Sequence, residues 1–407
     1  MTPKQAKYTL INDPIYGFIT VQSPLIFDLI QHPYFQRLRR IRQMGCSALV
    51  FPGARHSRFE HALGALHLMQ KALTSLLQKG VDISPEEQEA VQIAILLHDI
   101  GHGPFSHALE NTIVQKHSHE QLSLQIMQRL DDEFDGALSL AIDVFTNSHP
   151  KKFLYQLVSG PIDMDRMDYL RRDSFYSGML EGNINTERLL AVINVVDNQL
   201  VFGEKGILSL EKFLIARRLM YWQVYLHKTS LVAELMMTKT LQRAHELLLQ
   251  GETLEGSDIL VAFLKTDNLR DFSGGDALDL YLALDDTDVM YCLKKWHSHP
   301  DWVLQRLAGG LIDRKLYAIQ TQTNPYQKND TESIQEKLRQ QYPEVPLNYI
   351  FFQGNVSNEL YGVKNAIQLL SKDQTIIRFD QHPSSLMNQL PHAKQQLHYM
   401  AFPKELS

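Results

Sequence analysis

Cysteine is nearly absent: of 407 residues, only Cys46 and Cys292 carry a thiol. Two thiols so far apart offer neither a metal-thiolate spacing nor a disulfide framework, which points to a reducing cytoplasm. No apolar run approaches the roughly 20 residues of a membrane span. The opening Met1-Thr2-Pro3-Lys4-Gln5 lacks the apolar core of a signal peptide. Internal repeats and low-complexity tracts are missing as well. A net charge of −6 argues against a general nucleic-acid coat. It leaves room for an anionic substrate, because local positive charge decides that. Against these absences stands an ordinary apolar share of 44%, enough for a sizeable core.

One run concentrates the chemistry: His98-Asp99-Ile100-Gly101-His102-Gly103-Pro104-Phe105-Ser106-His107, placed behind the apolar stretch Ile93 to Leu97. Ionisable groups in apolar surroundings are costly unless a partner compensates them, and a cation compensates histidine and aspartate together. Adjacent residues on a regular helix diverge by about 100°. His98 and Asp99 therefore reach one ion only at a helix end, which the following glycines permit. Two further ligands are needed from elsewhere. His61 shares a helix face with Gly64, Ala65, Leu68 and Ala72, where small residues allow a neighbouring helix close approach. Asp165 lies with Tyr169 and Asp173 on a helix whose exposed stripe is expected to be wholly polar or aromatic. Taken singly, such a histidine is more often a hydrogen-bonded helix histidine than a ligand, and such an aspartate more often a solvated helix acid or a partner of Arg166 or Tyr169. Their coincidence with the histidine-rich run favours a metal site. Mixed nitrogen and oxygen ligands suit Mn, Fe, Ni or Zn better than calcium.

The first 250 residues read as helix. Ser84-Pro85-Glu86-Glu87 is a capping box with proline at the first helical position, and its helix delivers His98-Asp99 at its end. An earlier helix spans about Arg58 to Lys79 and stops at Gly80. A third begins near Pro161, and a fourth is expected over about Ser209 to Gln250. Strands are expected over Tyr16–Val21, Gln199–Phe202, Lys315–Gln320, Asn348–Phe352 and Thr375–Phe379, with a helix over Glu332–Gln341. The fold class is mainly α, with a helical domain over 1–250 that includes short N-terminal strands. A C-terminal lobe over 251–407, first helical and then α+β, is expected to serve oligomerisation or regulation.

The chain resembles the HD superfamily of metal-dependent phosphohydrolases, whose ligand pattern is H…HD…D. It is most similar to the SAM-and-HD-domain deoxynucleoside triphosphate triphosphohydrolases and their bacterial dGTPase-like relatives. The stretches that carry the resemblance are Asn12 to Gly17, Phe35 to Arg39, Phe51 to Ala54, Arg58 to His61, His98 to His107, His119 to Gln121 and Asp163 to Tyr169. They imply an HD-domain helical bundle in which His61, His98, Asp99 and Asp165 hold the metal. By the same resemblance His119, backed by Glu110, works beside it as the catalytic pair. Arg58, His107, Arg166 and Arg217 would contact the triphosphate. Tyr169, Asp173 and Tyr225 would surround the sugar, with Gln43 at its 3′-hydroxyl. His102 either lines this pocket or braces the loop. Mg could accompany the nucleotide as a second ion.

The implied reaction turns a dNTP into a deoxynucleoside and inorganic triphosphate. Water held at the metal attacks the α-phosphorus, and the 5′-oxygen departs with a proton from His119. The resemblance also implies a homotetramer or homodimer and a nucleotide effector site. Gln36 and Arg39 agree with that effector site, whereas Thr9 and Gln31 depart from its guanine-reading pattern. Two alternatives remain: another HD phosphohydrolase (nucleotide phosphatase, phosphodiesterase or nuclease), or a non-catalytic nucleotide sensor.

Overall fold

The computed structural model describes residues 8–105, 118–265, 275–358, 366–385 and 395–406. The fold is mainly α, with small sheets only. An antiparallel hairpin opens the chain, β1 (Thr9–Asp13) against β2 (Gly17–Val21). Its turn is closed by Asp13, whose Oδ1 accepts from the backbone N–H groups of Ile15 at 2.9 Å and Tyr16 at 3.0 Å.

Three helices and one turn build the centre. The Arg58–Gln78 helix starts at Ser57 with a capping box to Glu60 and buries His61, Gly64, Ala65, Leu68 and Ala72. The Pro85–Leu97 helix starts at the expected capping box and carries apolar side chains from Ala90 to Leu97 into the core. The Met164–Ser177 helix, capped by Asp163, packs on the first of these. It begins three residues after the expected Pro161 because the Asp163 carboxylate accepts from Arg166 N–H at 2.7 Å and so sets the N-terminus there. The close approach foreseen at Gly64 is made by this helix: a Cβ on Gly64 would collide with the Asp168 carboxylate and the Arg172 guanidinium.

The single helix expected over Ser209–Gln250 is broken. It comprises an Ile207–Met220 helix, a π-turn over Tyr221–Tyr225 and a new Lys228–Leu249 helix. His227 adopts a non-helical backbone, and its ring accepts from Thr229 N–H, capping the second helix. An internal cap defeats a periodicity that otherwise runs through. The expected strand over Asn348–Phe352 is likewise replaced at its start by a 3₁₀ turn over Leu347–Tyr349. This turn follows Pro346, and the strand β6 runs over Phe352–Asn358.

β3 (Ile193–Val196) and β4 (Gln199–Gly203) form a second hairpin. β4 pairs in parallel with β7 (Gln368–Leu370), which in turn pairs with β8 (Ile376–Arg378). One sheet thus joins the middle of the chain to its C-terminal part. A third sheet has the order β5 (Ala318–Gln322), β9 (Gln395–Phe402), β6. β5 starts three residues later than expected, after Arg314 turns the chain with a positive φ of 57°. The Lys328–Gln341 helix starts earlier than expected and packs Leu338 against Met400 and Phe402 of this sheet and against Ile350, which precedes β6. The largest apolar cluster runs from Ile19 through Leu97 and Met236 to Ala401. No described helix is long and apolar enough to cross a membrane.

Candidate metal centre

Three segments bring His61, His98, Asp99 and Asp165 together. His61 Nε2 lies 3.2 Å from Asp165 Oδ1 and 3.8 Å from Asp99 Oδ2. His98 Nε2 lies 3.3 Å from Asp99 Oδ1 and 3.4 Å from Asp165 Oδ1. The ligand atoms of His61, His98 and Asp99 are all within 4.8 Å of one another. The helix end at His98 lets both members of the His-Asp pair point inward, as the glycines predict. A Cβ on Gly101 would strike the backbone of His119 and Ser123. Ser123 Oγ locks this turn by donating to His98 O at 2.7 Å and accepting from Gly101 N–H at 2.9 Å.

The imidazole tautomers test whether a cation fits. His61 Nδ1 stands 2.7 Å from Asp168 Oδ2, and His98 Nδ1 stands 2.6 Å from the Ile95 carbonyl. Both partners are acceptors, so both rings donate from Nδ1 and turn an Nε2 lone pair toward the carboxylates. These two Nε2 atoms are buried and make no hydrogen bond with the described residues. Lone pairs facing carboxylate oxygens at this range repel unless positive charge lies between them. A proton on the rings or a divalent cation would supply that charge, and the donor set suits a cation.

The electrostatics agree. Burial pushes the His61 pKa down, but Asp165 and Asp168 outweigh it and raise the pKa to about 10. Burial also opposes ionisation of Asp165, yet His61 and His98 hold its pKa far below the carboxylate range. Asp99 is likewise held low by His98, His102 and Arg58 against its burial. A cation at this place competes with protons for the same groups.

Asp168, absent from the expected ligand set, braces His61 from behind. It is buried and receives Arg172 Nε at 2.9 Å and Nη2 at 3.0 Å, while Arg172 Nη1 reaches Asp13 Oδ2 at 2.8 Å. The N-terminal hairpin is thereby tied to Asp168, and through it to His61, by one buried arginine. The signal in the sequence is spacing: Asp168 stands one helical turn beyond Asp165 and four residues before Arg172.

The other expected residues divide. Arg58 Nη1 bonds Asp99 Oδ2 at 2.6 Å, and His102 Nε2 lies 3.4 Å from Asp99 Oδ1. His119 stacks on His102, with ring centroids 4.0 Å apart and planes at 15°. Tyr169 extends from His61 toward Tyr225, with centroid distances of 6.4 and 6.3 Å. Tyr225 donates its hydroxyl to Asp173 Oδ2 at 2.6 Å. The stripe of Asp165, Tyr169 and Asp173, expected to be exposed, faces inward because it packs toward His61 and Tyr225: Asp173 is buried, and the other two are only partly exposed. Arg217 lies beside Tyr169 and Tyr221. Gln43 donates its backbone N–H to His56 O at 3.0 Å, and its buried Oε1 accepts no hydrogen bond among the described residues. Arg166 turns back to pair with its own cap, Asp163, whose pKa burial raises to about 6 despite that arginine. At the expected effector residues, Arg39 Nε bonds Gln36 Oε1 at 2.8 Å and Gln36 Nε2 bonds Ile30 O at 2.7 Å. His107 and Glu110 lie outside the described residues.

Comparison with known proteins places this geometry in context. Residues 58–173 match the HD domain family, and residues 184–262 match the HD associated region. The chain is 32% identical over 322 residues to the uncharacterized protein YwfO of Bacillus subtilis, covering 77% of this chain and 72% of that one. A Dictyostelium discoideum protein named deoxynucleoside triphosphate triphosphohydrolase SAMHD1 homolog is 35% identical over 265 residues. That alignment covers 60% of this chain and 51% of the relative, so the match spans about half the relative's length. The crystal structure of a phosphohydrolase from Bacteroides thetaiotaomicron superposes with a TM-score of 0.92 at 45% identity, covering 97% of this chain and 100% of that one.

Proposed function

Since the chain belongs to the HD-domain phosphohydrolase superfamily, we propose that it is a metal-dependent deoxynucleoside triphosphate triphosphohydrolase. The observation that carries the reading is the pair of buried, outward-free Nε2 atoms of His61 and His98. They face Asp99 and Asp165 next to a wall of Tyr169, Tyr225 and Asp173. His61, His98, Asp99 and Asp165 hold the metal. When bound, a divalent cation (Mn, Fe, Ni or Zn) supplies Lewis-acid polarisation of a phosphate oxygen and lowers the pKa of water. Relatives carry the triphosphohydrolase name, which supports the substrate class.

The chain's own groups do the rest. Arg58, His107, Arg166 and Arg217 bind the polyphosphate, which brings Mg as its own counterion. Arg166 must leave Asp163 to do so. Water adds to the α-phosphorus as the bond from phosphorus to the 5′-oxygen breaks. His119, backed by Glu110, delivers the proton to that oxygen, so deoxynucleoside and triphosphate leave. His102 stacks on His119 and orients it. Tyr169 and Tyr225 press on the sugar and exclude a 2′-hydroxyl, while Asp173 and Gln43 take the 3′-hydroxyl. The working unit is a cytoplasmic homodimer or homotetramer, with residues 251–407 serving assembly or regulation.

The Arg166–Asp163 pair favours a second reading, a phosphohydrolase acting on a less charged phosphate ester, since it withdraws one cation from the polyphosphate path. Metal analysis followed by chromatography of reactions with each dNTP and NTP separates the two. Release of inorganic triphosphate from dNTPs supports the proposal. Release of phosphate or pyrophosphate moves the chemistry to another bond and sinks it.

A further inference from the structure

His56 belongs to no expected role, yet its side chain is entirely buried beside the sugar end of the site. Its Nε2 stands 2.8 Å from Asp173 Oδ1, while Tyr225 donates to the other oxygen, Oδ2, at 2.6 Å. A carboxylate only accepts, so the imidazole donates from Nε2. The two donors grip Asp173 from both sides and leave its carboxylate one orientation. The His56 ring in turn lies flat on Tyr176, with centroids 4.5 Å apart and planes at 18°, which fixes its own rotation.

The backbone of the same residue holds the second sugar-side group. His56 O accepts from Gln43 N–H at 3.0 Å, next to an antiparallel bridge between Arg42 and Ser57. Gln43 Oε1 is buried and accepts no hydrogen bond from the described residues, as a group reserved for a ligand hydroxyl would be. His56 therefore links Gln43 and Asp173, which are 130 positions apart in the chain, through one side chain and one carbonyl.

We propose that His56 is a positioning residue that sets Asp173 and Gln43 at the spacing needed to read a ribose 3′-hydroxyl, and so confers preference for nucleotides that carry one. This rests on the proposed nucleotide reading of the site. Recognition of a hydroxyl by buried groups built to bond it discriminates strongly against the analogue that lacks it, because those groups are then left unpaired. Losing the grip on Asp173 lets its carboxylate rotate and removes that discrimination.

The test uses the full-length protein with its metal, each dNTP and the matching 2′,3′-dideoxynucleoside triphosphate, measured by turnover and by equilibrium binding. The variants are His56→Phe, which retains a ring on Tyr176 but no donor, and His56→Gln, which restores an N–H donor. The expected result for His56→Phe is a KM for dNTP raised roughly tenfold or more, with metal content unchanged. Its preference for dNTP over the dideoxy compound should fall toward one, and His56→Gln should recover most of it. A His56→Phe protein that weakens both nucleotides equally, keeping the parental ratio, overturns the inference and leaves the triphosphohydrolase reading standing. A parent protein that releases no triphosphate but binds dNTP better than its dideoxy counterpart refutes that reading, and the binding ratio then decides on His56. If the parent binds both equally, there is no 3′-hydroxyl preference for His56 to confer, and the inference falls.

Discussion

Asp168 Oδ2 lies 2.7 Å from His61 Nδ1, on the side of the ring opposite the Nε2 that faces Asp99 and Asp165. The contact sets the tautomer and increases the basicity of the ligand. Asp168→Asn keeps the shape but presents an amide that can accept only through one oxygen and carries no charge. The expected outcome is a loss of metal affinity of about 10- to 100-fold, read by chelator competition, with activity recovering as the metal concentration is raised. Unchanged affinity would show that the tautomer is set by something else.

Gly64 shows how closely the two central helices approach. On helix propensity alone, Gly64→Ala stabilises by about 1 kcal/mol. The new methyl, however, would occupy the place of the buried Asp168–Arg172 pair, and overpacking costs about 1–3 kcal/mol before the disturbed ion pair is counted. The net expectation is destabilisation by about 2 kcal/mol together with weaker metal binding. Denaturant unfolding that shows an unchanged or raised midpoint would contradict it.

The sequence exposes first-hand what local rules govern. The capping box at Ser84 and the helix end at His98 follow from spacing within one segment, whereas the polar stripe of the Met164–Ser177 helix reads as exposed from its composition and turns inward only through packing. The candidate metal set is different: His98-Asp99 points to an ion by itself, whereas His61 and Asp165 stand in two other segments and are gathered with it by the resemblance. Asp168 and His56 were hidden for one reason: each acts on a residue more than 100 positions away, His61 and Asp173 respectively. β1 and β3 are held by their hairpin partners β2 and β4. The break at His227 was hidden because an internal side-chain cap interrupts a helix without disturbing the surrounding apolar period.

Asp165→Ala removes a carboxylate whose ion-pair partners are the two metal-facing imidazoles. The expected result is loss of bound metal and of activity in a chain that still folds, checked by elemental analysis and thermal unfolding on the same sample. Retention of a full equivalent of metal would remove Asp165 from the ligand set.

His119 opens the His119–Glu133 helix, whose start is capped by Ser118 and whose Ser123 is bonded to the His98–Gly101 turn. It stands beside the His61–His98–Asp99 triplet and forms with Asp99 and His102 a second group that could hold a cation. His119→Ala should leave metal content intact and slow turnover by roughly 10²–10⁴-fold. Normal turnover in that variant would exclude His119 as the proton donor.

Glu234 stands on the Lys228–Leu249 helix near Cys46 and Tyr221, and burial raises its pKa from 4.5 to about 7. In the unfolded chain the carboxyl ionises near 4.5, whereas the folded protein keeps its proton until about pH 7. Below the lower value both states are protonated, and the group is neutral toward folding. Between the two values the unfolded chain alone loses the proton, so stability falls as pH rises. Above the higher value the full penalty applies, up to about 3 kcal/mol. Glu234→Gln removes this dependence. The variant should gain stability over the parent at pH 8 by about 1–3 kcal/mol more than it does at pH 4.5, measured by urea unfolding at both values. An equal difference at the two pH values would mean that the Glu234 carboxyl titrates alike in the folded and unfolded chain.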